Sequence, residues 1–208
     1  NAISANGLIV DADPDDIRTL EEWASVLPEE CFDTVTDILV AQSGAAFENR
    51  MIEACRRQGV PTPNRADLHN VYAFFESDNR GNGQIVLRSV KNGQPDYLYH
   101  EIGHVVLARS PGKGSWYIQY RNPKFDRFSW YSSTNEREAF AESFASFFAS
   151  GGKASGAKLR GERVRAEAGN IGNTFAEVAS VLDRITNKKK IKKTAKEIVM
   201  RLLAEKGG

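Results

Sequence analysis

A chain of 208 residues, 41% hydrophobic and 26% charged, can bury a real core and is neither disordered nor fibrous in composition. Its formal net charge of +1 excludes a global attraction to nucleic acid or to anionic membranes, so no nucleic-acid partner is expected. No apolar run approaches the length that crosses a bilayer, so no transmembrane segment is expected either.

The start, from Asn1, has no charged segment leading into an apolar one, which reads as a mature product or a piece of something larger. Residues 7–12 suggest a short strand. Asp13-Pro14 then supplies an N-cap and a first-turn proline for a helix with Ile17, Leu20, Ala24 and Leu27 on one face. Pro28 breaks it, and the apolar spacing of Cys31, Val35, Ile38 and Leu39 predicts a second helix. A third follows Ser43-Gly44, carries Phe47, Met51, Ala54 and Cys55 inward, and ends at Gly59. Cys31 and Cys55 read as small core residues rather than as a disulfide.

His69 has no partner at metal spacing and reads as a loop or strand-end histidine. Residues 70–76 and 84–90 then predict a β-hairpin around the turn residues 78–83. Its second strand, Gln84–Ser89, is either an ordinary paired strand or an edge able to pair with an extended peptide. From Ser110 to Ser133 the chain combines Pro and Gly with seven aromatic residues, among them Trp116, Tyr117 and Tyr131. Trp116–Arg121 reads there as a strand and the remainder as a structured loop. Ser133-Thr134-Asn135-Glu136 matches a capping box, with Ser133 as N-cap and Glu136 at its third helical position. The helix behind it sets Phe140, Phe144, Phe147 and Phe148 into the core. Glu138, Glu142 and Ala145 share another face, whose small neighbours suit a close helix crossing. Residues 151–170 read as an exposed connection, and Val178, Leu182 and Ile185 mark a further amphipathic helix. The last stretch, 188–208, is a basic amphipathic helix, docked on the same domain and offering a lysine face to an anionic partner.

The chemistry lies between these elements, in His100-Glu101-Ile102-Gly103-His104. Residues four apart on a helix stand one turn above each other, so both imidazoles project from one face. One ion about 2.0–2.1 Å from each can bridge them. Glu101 can reach a water at that ion without itself being a ligand, which is what a general base must do. Two of the chain's three histidines fall in this motif. It points to one Zn2+ per chain. Pro95 and Asp96 suit the start of the carrying helix, and Leu98, Ile102, Val105 and Val106 form its core stripe.

Residues 105–112 contain no third histidine, so the third ligand comes from further along. At about 100° per residue, Glu138 and Glu142 lie on one helical face and Glu136 points nearly opposite. Glu136 also has a structural task in the capping box, which leaves Glu138 as the expected ligand. Glu142, one turn on, is the expected carboxylate behind a ligand histidine.

Together, His100-Glu101-Ile102-Gly103-His104 and the stretch from Tyr131 through Glu138 to Phe144 resemble the anthrax lethal-factor-like zinc peptidases, which include the Pro-Pro endopeptidases. The resemblance spans residues 70–150. It implies a zinc endopeptidase of the gluzincin type, with His100, His104 and Glu138 as ligands, Glu101 as base and Glu142 in support. It also implies that Tyr131 donates a hydrogen bond to the oxyanion, and that the protein is a bacterial effector or toxin domain, secreted or delivered into a target cell. The expected fold is α+β and zincin-like: a small twisted sheet, an active-site helix and a glutamate helix within residues 1–187. Two other readings fit: a maturation protease of a phage or secretion particle, and an inactive zinc-bound binding module acting through the basic tail. An intact Glu101 and a matching Tyr131 argue against the second.

Overall fold

The computed structural model describes residues 9–10, 12–90, 95–121, 133–149 and 176–186. Tyr131, the connection at 151–170 and the basic stretch 188–208 lie outside them. The fold is mixed α+β, as expected. Its strands are β1 (Ile9–Val10), β2 (Val35–Val40), β3 (Ala73–Ser77) and β4 (Gly83–Leu87), in the sheet order β1-β2-β4-β3. The β1–β2 and β2–β4 pairs are parallel, and β3–β4 is the expected antiparallel hairpin. Asp78 shapes its turn: Oδ1 accepts from the N–H groups of Arg80 and Asn82, and Gly81 takes a positive φ of 80°.

Helix α1 (Pro14–Ser25) starts where the sequence indicates, with Asp13 Oδ1 accepting from the N–H groups of Asp15 and Asp16. Ser43 caps α2 (Gly44–Gln58), and Gly59 ends it at φ 66°. The helix expected between them is absent. Cys31 sits in a single 3-10 turn (Glu29–Phe32), and Val35, Ile38 and Leu39 belong to β2. Both cysteines are free; Cys31 is buried and Cys55 half-buried. His69 ends the short helix α3 (Arg65–His69), where its Nδ1 lies 2.7 Å from Glu48 Oε1.

Alternate residues of the two central strands face opposite sides. Ile38, Ile85 and Leu87 join the main core, while Leu39 and Val86 pack with Phe47 of α2 in a second cluster. The metal-motif helix, α4 (Pro95–Arg109), covers the main-core face with Leu98, Ile102, Val105 and Val106. Beyond it lies α6 (Glu136–Ala149), and among the described elements α4 against α6 is the most extensive packing. Gly103 makes this possible, since a Cβ there would stand 2.9 Å from Ala141 Cα and 3.1 Å from Phe144 Cβ. Helical residues 176–186 add Val178, Leu182 and Ile185 to the same core.

Two further expectations fail. Trp116–Arg121 is not a strand but part of α5 (Lys113–Arg121). Trp116 is fully buried, edge-on to Phe140 at 5.0 Å, and its indole N–H donates to the Glu136 carbonyl at 2.6 Å. Those contacts place the start of α6 and override a β-prone local sequence. The capping box is also displaced. Asn135 Oδ1, not Ser133, accepts from the N–H groups of Arg137 (2.9 Å) and Glu138 (3.0 Å), so Glu138 rather than Glu136 occupies the third helical position. Strand β4 is an ordinary interior strand, paired on both sides, and among the described residues the edge strands are β1 and β3.

Candidate metal centre

Because α4 is buried by the sheet on one side and α6 on the other, its motif residues emerge along the narrow strip between them. His100, Glu101 and His104 are each half-buried there. Glu138 enters from the first turn of α6, its backbone held by the Asn135 cap. The ring nitrogens and the carboxylate converge: Nε2 of His100 is 3.1 Å from Nε2 of His104 and 3.1 Å from Glu138 Oε2. The third side of the triangle, His104 Nε2 to Glu138 Oε2, is 3.3 Å.

These lengths can be compared with what a metal requires. A tetrahedral ion about 2.0–2.1 Å from each ligand atom holds those atoms roughly 3.3 Å apart, close to all three sides here. The two Nε2 atoms can share a hydrogen bond only when one of them carries a proton, and when neither does, both lone pairs are free for one ion. His100, His104 and Glu138 can therefore hold a metal ion, and among the described residues they are the one such group of three.

The surroundings fit the same use. Nδ1 of His100 is 3.0 Å from Glu142 Oε1, so Nδ1–H donates to that carboxylate and loss of the other proton leaves the Nε2 lone pair aimed at the shared point. Burial works against charge on His100, but the hydrogen bonds to Glu138 and Glu142 prevail and hold its pKa up at about 10. Burial likewise opposes ionisation of Glu138, yet its bonds to His100 and His104 prevail and lower its pKa to about 2. Glu101 behaves differently. Burial raises its pKa, and the nearby imidazoles only partly offset this. An elevated carboxyl near the shared point, outside the ligand set, suits a group that takes up a proton and gives it back.

One feature of the site was not legible in the sequence. Beside His104 opens a cavity of about 220 Å³, with Phe75 and Ser77 of β3 on one side and Lys113, Tyr117 and Arg137 on the other. Arg137 and Tyr117 meet through Nε and the phenol oxygen at 3.4 Å, and Lys113 Nζ lies 5.7 Å from the Tyr117 ring centroid. The nearest sequence signal is the aromatic richness of residues 110–133, which fits a substrate-gripping wall or a small satellite core equally and says nothing of charge.

No helix among the described residues is long and apolar enough to cross a membrane. Compared with known protein families and with curated proteins, the chain matches none.

Proposed function

We propose that the protein is a zinc-dependent endopeptidase with a zincin-like fold of the gluzincin type. The observation that carries this reading is the triangle of His100 Nε2, His104 Nε2 and Glu138 Oε2, sized for a tetrahedral ion, with Glu101 beside it and outside the ligand set. Zn2+ held there supplies a Lewis acid that polarises a carbonyl and makes water acidic enough to react near neutral pH. The Glu101 carboxylate accepts the proton of the attacking water and passes it to the nitrogen of the leaving amine. Glu142 keeps His100 oriented through Nδ1. Tyr131, which the lethal-factor-like pattern assigns to the oxyanion, would stabilise the negative oxygen of the tetrahedral intermediate with its hydroxyl. The same resemblance extends the proposal to a secreted or delivered bacterial effector.

The test is digestion of a diverse peptide library, with new termini read by mass spectrometry. Cleavage should need zinc, stop with chelator, and nearly vanish in Glu101→Gln although that variant still binds one zinc per chain. Comparable cleavage by Glu101→Gln would remove Glu101 from its role as base. Absence of cleavage by the zinc-loaded wild type would end the peptidase reading.

A further inference from the structure

The pocket beside His104 is smaller than the roughly 300–1,000 Å³ of pockets that take whole small ligands, so its scale is that of a single side chain. Leu107 and Phe75 give the lining an apolar part that suits the methylenes of such a chain. Among the described residues the charged lining is of one sign: Lys113 and Arg137 both face the pocket, and none of the described lining residues is acidic. Among the described residues neither cation has an ion-pair partner. Tyr117 positions both, bonded to Arg137 at one end and lying under Lys113 with its ring. Glu136 also acts on Arg137, but it is not among the residues lining the pocket.

We infer that this pocket receives an acidic side chain of the substrate, on the residue bound beside the scissile bond at the His104 end of the site. The inference rests on the peptidase reading and adds the substrate's chemical class. Arg137 offers a planar fork of donors to a carboxylate and Lys113 a point charge, a pairing that a neutral amide of the same shape would not satisfy. Both are specificity residues, with no part in the bond-breaking step.

Three hydroxamates provide the probes, identical except for a carboxyethyl, carbamoylethyl or isobutyl side chain. The hydroxamate group anchors on zinc, so calorimetry on the zinc-loaded full chain reads the pocket whether or not peptides are cleaved. The carboxyethyl compound should bind about tenfold more tightly than the carbamoylethyl one, with the gap narrowing as salt is raised. Arg137→Met and Lys113→Met should each shrink the preference, whereas Arg137→Lys should keep most of it. The isobutyl compound should bind all variants as it binds the wild type. Should Arg137→Met fail that control through its neighbour Glu138, Lys113→Met decides. Equal binding of the carboxyethyl and carbamoylethyl compounds overturns the acidic-pocket inference and leaves the peptidase reading standing, as does a preference that survives both Met variants. If no hydroxamate binds the zinc-loaded protein, the peptidase reading fails and this inference fails with it. An acid preference without any peptide cleavage would support the pocket and count against the peptidase.

Discussion

Nε2 of His100 lies 3.1 Å from Oε2 of Glu138 while Nδ1 of the same ring lies 3.0 Å from Oε1 of Glu142, so one imidazole of α4 is clamped between two carboxylates of α6. Stripped of metal, that clamp favours an imidazolium, with the His100 pKa raised from 6.5 to about 10 and that of Glu138 lowered from 4.5 to about 2. Zinc needs the neutral ring. Its uptake at pH 7 should therefore release about one proton per ion, and its affinity should fall as pH is lowered. Calorimetry in buffers of different ionisation enthalpy measures that proton, and a count near zero would mean that His100 is already neutral.

The same clamp sets how the stability of the metal-free protein varies with pH. A raised histidine pKa contributes stability that is complete below about 6.5 and lost as pH rises through about 10. A lowered carboxyl pKa contributes stability that is present above about 4.5 and lost as pH falls through about 2. Melting temperature in chelator should peak between about pH 4.5 and 6.5, and excess zinc should remove the alkaline decline. A metal-free profile still rising toward pH 9 would contradict the clamp.

Gly103→Ala separates two opposed effects. On an isolated helix alanine gains about 1 kcal/mol over glycine. Here the new Cβ would lie 2.9 Å from Ala141 Cα, a backbone atom of α6 that cannot rotate away. Overpacking of this kind costs about 1–3 kcal/mol, so the sign should reverse. The two helices that would part are the two that hold the ligand triangle, so zinc affinity should drop together with melting temperature. A variant that melts higher and binds zinc normally would show that the helices do not need this close approach.

Cys31 offers a check on the core at the far end of α4. Burial pushes its thiol up to about 12, with the Arg109 charge only partly offsetting this. It should resist maleimide at pH 8 until the protein is unfolded, while the half-buried Cys55 is the residue to label first. Prompt labelling of Cys31 in native protein would place the 3-10 turn outside the core.

What could be read in advance follows from how local each signal is. The motif helix, and the choice of Glu138 and Glu142 over Glu136, rest on helical periodicity, which survives any tertiary context. Strand β2 is ambiguous in the sequence because Val35, Ile38 and Leu39 fit a helical spacing as well as a strand covered on both faces, and both faces are covered here by α2 and α4. Around Trp116 the β-prone composition lost to one tertiary anchor, the indole bond to Glu136. Ser133 and Asn135 are both good caps, and the sequence does not rank them. Lys113 and Arg137 come from different helices, so nothing local announced their shared pocket.

The final prediction distinguishes the glutamates of α6. Glu138→Ala should abolish tight zinc binding, since two histidines alone leave the ion under-coordinated. Glu142→Ala removes the acceptor of His100 Nδ1–H and should weaken zinc about 10–100-fold, as the loss of a ligand's supporting bond does. Glu136→Ala should leave zinc in place, and because Asn135 is the cap it should cost little stability. The contact that Trp116 makes is to the Glu136 backbone carbonyl, which alanine retains. The capping cost belongs instead to Asn135→Ala, at about 1 kcal/mol. That variant should also loosen zinc modestly, because the Asn135 side chain holds the N–H of Glu138 itself. Zinc titration and melting of the four purified variants test the whole order. If Glu136→Ala loses zinc while Glu138→Ala keeps it, α6 is rotated from this arrangement and the ligand triangle is wrong.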